Sequence, residues 1–202
     1  MTDKPLLLTH NKVDFERKFL LTPNFIANKK IKSLPTEHVV EYFLKVEEEY
    51  QEKIIVKTIN GNTEYIFIRH VKPRVIRNSV EEKITFEEFL YLMNNCIYKD
   101  QSAIYKTKYI ISENCKLITF DLQKPIEYHG EITTQIKYLK YKFSDINKAM
   151  NFNSPEDKFL SYYIEDISAN KKFSTLEIWC NQNSVKPIKS KIHIIKNFIQ
   201  KV

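Results

Sequence analysis

The chain has 202 residues, 43% of them hydrophobic, with 32 Lys and Arg against 25 Asp and Glu for a net charge of +7. That length and apolar content suffice for one large domain or a domain with an appendage, and the positive balance favours an anionic partner without naming it, solubility being preferred over nucleic-acid binding as its reason. No run of ~18 apolar residues and no basic-then-apolar leader occurs, so neither a membrane span nor a secretory leader is expected, and the expected compartment is the cytoplasm.

The first predicted element is a strand over Val13–Leu21. Alternation puts Asp14, Glu16 and Lys18 on one face and Val13, Phe15, Phe19 and Leu21 on the other. Thr22-Pro23 offers an N-cap and a first-turn proline for a short helix carrying Phe25, Ile26 and Ile31. A β-rich run follows at Val39–Leu44, then a hairpin of Lys53–Ile59 and Thr63–His70 turning at Asn60-Gly61-Asn62. Lys53, Ile55 and Lys57 share a face of one arm, and Tyr65, Phe67 and Arg69 a face of the other, so each arm is expected to bring a cation to the same side. Beyond Pro73, Arg74, Arg77, Ser79, Glu81 and Lys83 lead along another strand. Thr85-x-x-Glu88 then has capping-box spacing for a helix near 86–95.

The strand Ala103–Ser112 places Lys106 and Lys108 with Ile104 and Ile110, opposite Tyr105 and Tyr109. Two more strands follow, Lys116–Gln123 with Thr119 and Asp121 in phase, and Glu131–Leu139 with Thr133, Gln135 and Lys137 in phase. After residue 143 the pattern turns helical. Ser154-Pro155 opens a run with Phe159, Leu160, Tyr163, Ile164 and Ile167 at helical spacing; Ser174-x-x-Glu177 suggests another start, anchored by Trp179. Pro187–Val202 reads as a basic amphipathic helix, for which docking on the body is preferred over membrane or nucleic-acid binding. Cys96, Cys115 and Cys180, odd in number and far apart, fit reduced core thiols. With only Gly61 and Gly130 there is no Gly-rich phosphate loop, and the five His never approach His-Glu-x-x-His spacing, so side-chain cations would have to hold any phosphate.

In this order the elements resemble the CYTH or triphosphate tunnel metalloenzyme family. Asp14-Phe15-Glu16-Arg17-Lys18-Phe19-Leu20 is similar to the family's N-terminal Glu-x-Glu-x-Lys strand, with Asp for the first Glu, and Ile104-Tyr105-Lys106-Thr107-Lys108-Tyr109 is similar to its Lys-x-Arg-Tyr strand. Glu41 stands where Gln is usual, Ile55 and Lys57 where Arg-x-Arg is usual, and Phe67-Ile68-Arg69 looks like the end of the fourth strand. The resemblance implies an α+β fold: an eight-stranded antiparallel β-tunnel (barrel) with flanking helices over residues 1–165, and a helical C-terminal extension over 166–202 packed on the same body.

The same resemblance implies a triphosphate along the bore and a divalent metal beside it. Its phosphate ligands would be Lys18, Lys53, Lys57, Arg69, Arg74, Arg77, Lys106, Lys108 and Lys137; its metal ligands for Mg²⁺ or Mn²⁺ would be Asp14, Glu16, Glu81 and Asp121; Glu16 and Lys18 would be catalytic. The sequence departs from the pattern at Ser79-Val80-Glu81-Glu82-Lys83, at Thr119-Phe120-Asp121 and at Gln135-Ile136-Lys137, where two carboxylates of the eighth strand are lost. A weakened metal site is therefore expected. Hydrolysis of inorganic, nucleoside or thiamine triphosphate is preferred over cyclisation of ATP, and the alternative is a tunnel that binds a nucleotide, oligonucleotide or polyphosphate without turnover. Nucleic acid as partner is admitted but not favoured, and no membrane partner is expected.

Overall fold

The computed structural model describes residues 15–48, 50–71 and 78–188. Nine strands form one antiparallel sheet: β1 (Phe15–Leu21), β2 (Thr36–Val46), β3 (Tyr50–Ile59), β4 (Asn62–Val71), β5 (Asn78–Ile84), β6 (Ile104–Ser112), β7 (Cys115–Tyr128), β8 (Glu131–Phe143) and β9 (Tyr163–Asp166). Their spatial order is β5-β4-β3-β2-β6-β7-β8-β1-β9. The α+β class and the antiparallel sheet agree with the sequence reading. The strand number and closure differ, because β9 adds a ninth strand on β1, and among the described residues no ladder joins β5 to β9.

Local chemistry sets the turns. Asn60 and Gly61 have φ of 50° and 80°, and His129 and Gly130 54° and 73°, the left-handed pair of a tight two-residue hairpin turn whose twist matches its strands. Helix α1 (Lys29–Lys32) starts at Asn28, which caps Ile31, rather than at Thr22. Helix α2 (Phe86–Asn94) begins with the expected capping box between Thr85 and Glu88. Helices α3 (Ile146–Asn151) and α4 (Asp157–Leu160) are short. The helix expected to run through Ile167 stops at Leu160, and Tyr163–Asp166 becomes β9: the exposed edge of β1 offers unpaired backbone groups, and that outweighs the helical spacing. Arg17 holds this edge by donating to Asp166 and to the Ala149 carbonyl. Helix α5 (Thr175–Asn183) is capped by Ser174, which accepts from the Glu177 N–H, as its spacing implies. The basic segment after Ile188 lies outside the described residues; Ile188 itself bridges to Glu47.

The pairing registers sort side chains onto two faces. One, here the inner face, carries Glu37, Glu41, Lys53, Lys106, Lys108, Ile118 and Phe120; the other carries Thr36, Tyr105, Thr107, Leu117, Thr119 and Leu139. The outer face is covered twice. Phe159 and Ile31 pack with Phe19, Leu21, Phe25, Leu117 and Leu139 near one end, and Phe89, Leu92 and Met93 of α2 pack with Leu44 and Ile54 near the other.

Half of the inner face is apolar and closed by the C-terminal elements. Leu20, Phe43, Val46, Ile104, Ile118, Phe120, Leu122, Ile136 and Tyr138 form one cluster with Ile167, Ile178, Trp179 and Cys180. Trp179 is 1% exposed, its ring 4.8 Å from Phe43 and 5.1 Å from Tyr98, and its indole N–H donates to the Ser102 carbonyl at 2.9 Å. Removing that ring opens a cavity that the surrounding strands cannot collapse into. Trp179→Ala is expected to lower stability by about 3–5 kcal/mol in urea unfolding.

Candidate functional site

At the centre of the inner face Glu41 of β2 stands between two lysines from the strands on either side. Lys53 of β3 donates to Oε2 at 2.8 Å, and Lys106 of β6 donates to Oε1 and, at 2.7 Å, to the Thr175 hydroxyl at the start of α5. The register explains the geometry: Lys53 sits opposite Phe43 and Lys106 opposite Val39, so the two ammoniums reach Glu41 diagonally from opposite sides. All three side chains are buried.

Burial by itself raises a carboxyl, but Lys106 and Lys53 overcome it and hold Glu41 at about 2. Burial, together with repulsion from Lys53 and Lys108, brings Lys106 down to about 8 against the pull of Glu41. One carboxylate neutralises one ammonium, so the enclosed trio carries an uncompensated positive charge.

Toward the exposed end the pattern repeats. Glu37 accepts from Lys116 at 2.9 Å and from Lys108 at 3.3 Å; burial would raise its carboxyl, yet these lysines hold it below the usual range. Lys140 pairs with Glu16 at 2.5 Å. Lys18 of β1 stands directly opposite Lys140 of β8, which stands directly opposite Lys116 of β7, a row of like charges across three adjacent strands. Such pairs repel in a bare sheet. Counted over these ion pairs, five ammoniums share three carboxylates. Beneath the row, burial and the charges of Glu41 and Glu16 push the Tyr138 phenol far up, keeping it protonated, and Lys18 lies 6.0 Å over its ring. The side chains of Lys108, Lys116 and Lys140 are 25%, 28% and 23% exposed against 8% for Lys106, so the cluster is more open to solvent at the β1–β8–β7 end.

The registers place Glu16, Lys18, Lys53, Lys57, Lys106 and Lys108 on the inner face, and Glu81 has inner-face parity but lies exposed on β5 next to Lys83, which pairs with Glu64. Arg69, Asp121 and Lys137 are on the opposite face. The two-residue turn at Asn60-Gly61 sets Lys53 opposite Ile68, which turns Arg69 outward to Glu52 at 3.0 Å and corrects the expectation that both hairpin arms offer a cation to one side. On β7 and β8 it is Phe120 and Ile136 that face inward. Asp121 accepts from Gln135 at 2.8 Å, while Lys137 donates to the carbonyls of Pro23 and Phe25 at 3.0 and 2.7 Å. A displacement of one residue in matching a strand reverses every side chain, and here it separates these three from Lys106. Asp14, Arg74 and Arg77 lie outside the described residues.

No three acids, histidines or cysteines gather into a cation cage among the described residues. Glu16 is engaged by Lys140, Glu81 is exposed and Asp121 faces away, so these three described acids do not converge on one point. Sequence reasoning passed over Glu37, Lys116 and Lys140; alternation sets Glu37 in phase with Glu41 on β2, while only the register shows that Lys116 and Lys140 face the same side. It placed Glu41 without a role. A cleft of about 420 Å³ between β7, β8, β9 and α5, lined by Leu122, Tyr128, Ile136, Phe173 and Ile178, holds none of the expected phosphate ligands.

Glu41→Gln leaves two buried ammoniums facing one another and is expected to cost about 3–5 kcal/mol, whereas Lys106→Met keeps a one-to-one pair with Lys53 and costs about 1 kcal/mol or less. Because the folded value of Glu41 lies below its ordinary 4.5, its stabilising contribution is complete above that pH and is lost as pH falls toward about 2. The stability gap between wild type and Glu41→Gln, measured by urea unfolding, therefore narrows across that window.

No protein-family model and no curated protein sequence matches this chain. Among solved structures it is similar to the PH1819 protein of Pyrococcus horikoshii, at 12% identity and a TM-score of 0.40 over 92% of this chain and 99% of that one. It is also similar to a Bacillus halodurans protein provisionally named an adenylate cyclase, at 8% identity and a TM-score of 0.40 over 93% and 98% of the two chains. No helix among the described residues is long and apolar enough to cross a membrane.

Proposed function

We propose that this chain is a phosphoanion-binding protein whose inner-face lysines hold an oligophosphate such as inorganic triphosphate or a nucleoside triphosphate. The observation that carries this reading is the row Lys18, Lys140 and Lys116, set side by side on adjacent strands with Lys108 close by. A sheet pays for such crowding unless something anionic spans it, and Glu16 and Glu37 compensate it in part. Phosphate oxygens are suited to such a row, since each accepts charge-assisted bonds from several ammoniums. Lys53 and Lys106 behind the row add attraction at short range, where little water screens it.

Binding without turnover is the better-supported form. Metal-dependent hydrolysis of a terminal phosphoryl group, which the sequence resemblance implies, needs a carboxylate set, and the described acids are bonded to lysines or directed elsewhere. The apolar cluster with Trp179 and Ile178 fills the inner face at the α5 end, which leaves the lysine end for a ligand.

Calorimetric titration of inorganic triphosphate and ATP in EDTA is expected to show binding that weakens with salt. Lys116→Ala and Lys140→Ala should each weaken it about tenfold to a hundredfold, the loss of one bond to a charged group. Binding that appears only with Mg²⁺ or Mn²⁺, accompanied by phosphate release, would establish the hydrolytic reading instead.

A further inference from the structure

Helix α2 is apolar on two sides. Of its nine residues, Phe89, Leu92 and Met93 pack onto the sheet, Phe86 lies against Tyr65 of β4 with about half of its surface open, and Leu90 and Tyr91 are exposed. Phe86 is 49% exposed, Leu90 43%, Tyr91 69% and, just past the helix end, Ile97 65%. The exposed set continues onto the sheet at Tyr105, 45% exposed, whose phenol is close enough to influence Tyr42, itself edge-on to Phe89 at 5.7 Å. A surface helix normally buries one stripe and offers polar residues to water; one that is apolar all round belongs between two layers. Scattered exposed apolar residues need no explanation, but four in a twelve-residue stretch centred on one helix form a docking patch.

Charge indicates what docks there. The chain as a whole is +7, yet the stretch from Glu81 to Glu88 holds four carboxylates and one lysine. Lys83 turns to Glu64, and Glu88 is committed to the Thr85 N–H. Glu82, on the outer face with α2, and Glu87, on the helix itself, make no ion pair among the described residues, and both are exposed. An apolar stripe flanked by free carboxylates suits an amphipathic helix with Lys or Arg beside its apolar face, docked by the helix-in-groove mode. A second copy placed symmetrically would set Glu82 and Glu87 near their own counterparts, which repels. We infer that the outer surface of α2 is a docking site for a basic amphipathic helix of a partner, independent of the lysine cluster on the other face of the sheet.

The test uses the full chain and a fluorescent peptide with the sequence of residues 186–202, whose Ile and Lys pattern has the required chemistry, against a peptide with every Lys changed to Glu. Saturable, salt-sensitive binding of the basic peptide alone is expected, weakened at least tenfold by Leu90→Ala with Tyr91→Ala and, separately, by Glu82→Lys with Glu87→Lys. All four positions are exposed, so these variants keep the fold, which circular dichroism checks. No binding, equal binding of the acidic peptide, or affinity unchanged in both variants would overturn the inference. So would a concentration-dependent dimer in sedimentation that Leu90→Ala with Tyr91→Ala abolishes, since the occupant would then be a second copy.

Discussion

The buried carboxylate of Glu41, shared between Lys53 and Lys106, is the interaction on which the rest of the inner face depends. It ties β3, β2 and β6 together at the middle of the sheet, and through Thr175 it reaches the first turn of α5. Two ammoniums tolerate burial only because one carboxylate stands between them, and the carboxylate stays ionised only because both are there. Each member makes the other two possible.

That trio also divides the inner face. On one side the sheet is lined by Leu20, Ile118, Phe120, Ile136 and Tyr138, which bury themselves against Trp179 and Ile178. On the other the same strands carry Lys18, Lys108, Lys116 and Lys140 with Glu16 and Glu37. The apolar half contributes stability; the lysine half sacrifices some of it through repulsion. Like charges opposite one another across β1, β8 and β7 weaken the cohesion of the sheet, and the proposed anion site rests on that row. The C-terminal elements are part of this arrangement: β9 completes the edge of β1, α5 stops the face at one end, and the Thr175 hydroxyl occupies one donor of Lys106.

Much of this was legible in the residues. Alternation in Phe15–Leu21 and Ile104–Ser112 assigned Glu16, Lys18, Lys106 and Lys108 to one side of their strands, and the Asn60-Gly61 turn, the Thr85 capping box and the Ser174 cap are where their chemistry puts them. Three things were not legible. Whether Asp121 and Lys137 share a face with Lys106 depends on which residue of β6 opposes which of β7, and alternation within a strand is silent on that. The conversion of Tyr163–Asp166 from helical spacing to a strand was decided by the unsatisfied edge of β1, 140 residues earlier in the chain. Glu41 read as a substitution in a motif until its two partners from neighbouring strands surrounded it.

By itself, then, the sequence determined the strand-rich α+β class, the side of each strand on which its charges lie, and a cationic surplus suited to an anion, because alternation, caps and turns are properties of a few consecutive residues. Only the tertiary structure decided which of those sides meet, which carboxylate each lysine touches, and that the sheet is closed at one end by its own C-terminal helix. Register and burial couple residues far apart in the chain, and the energy of a buried charge is set by its neighbours in space.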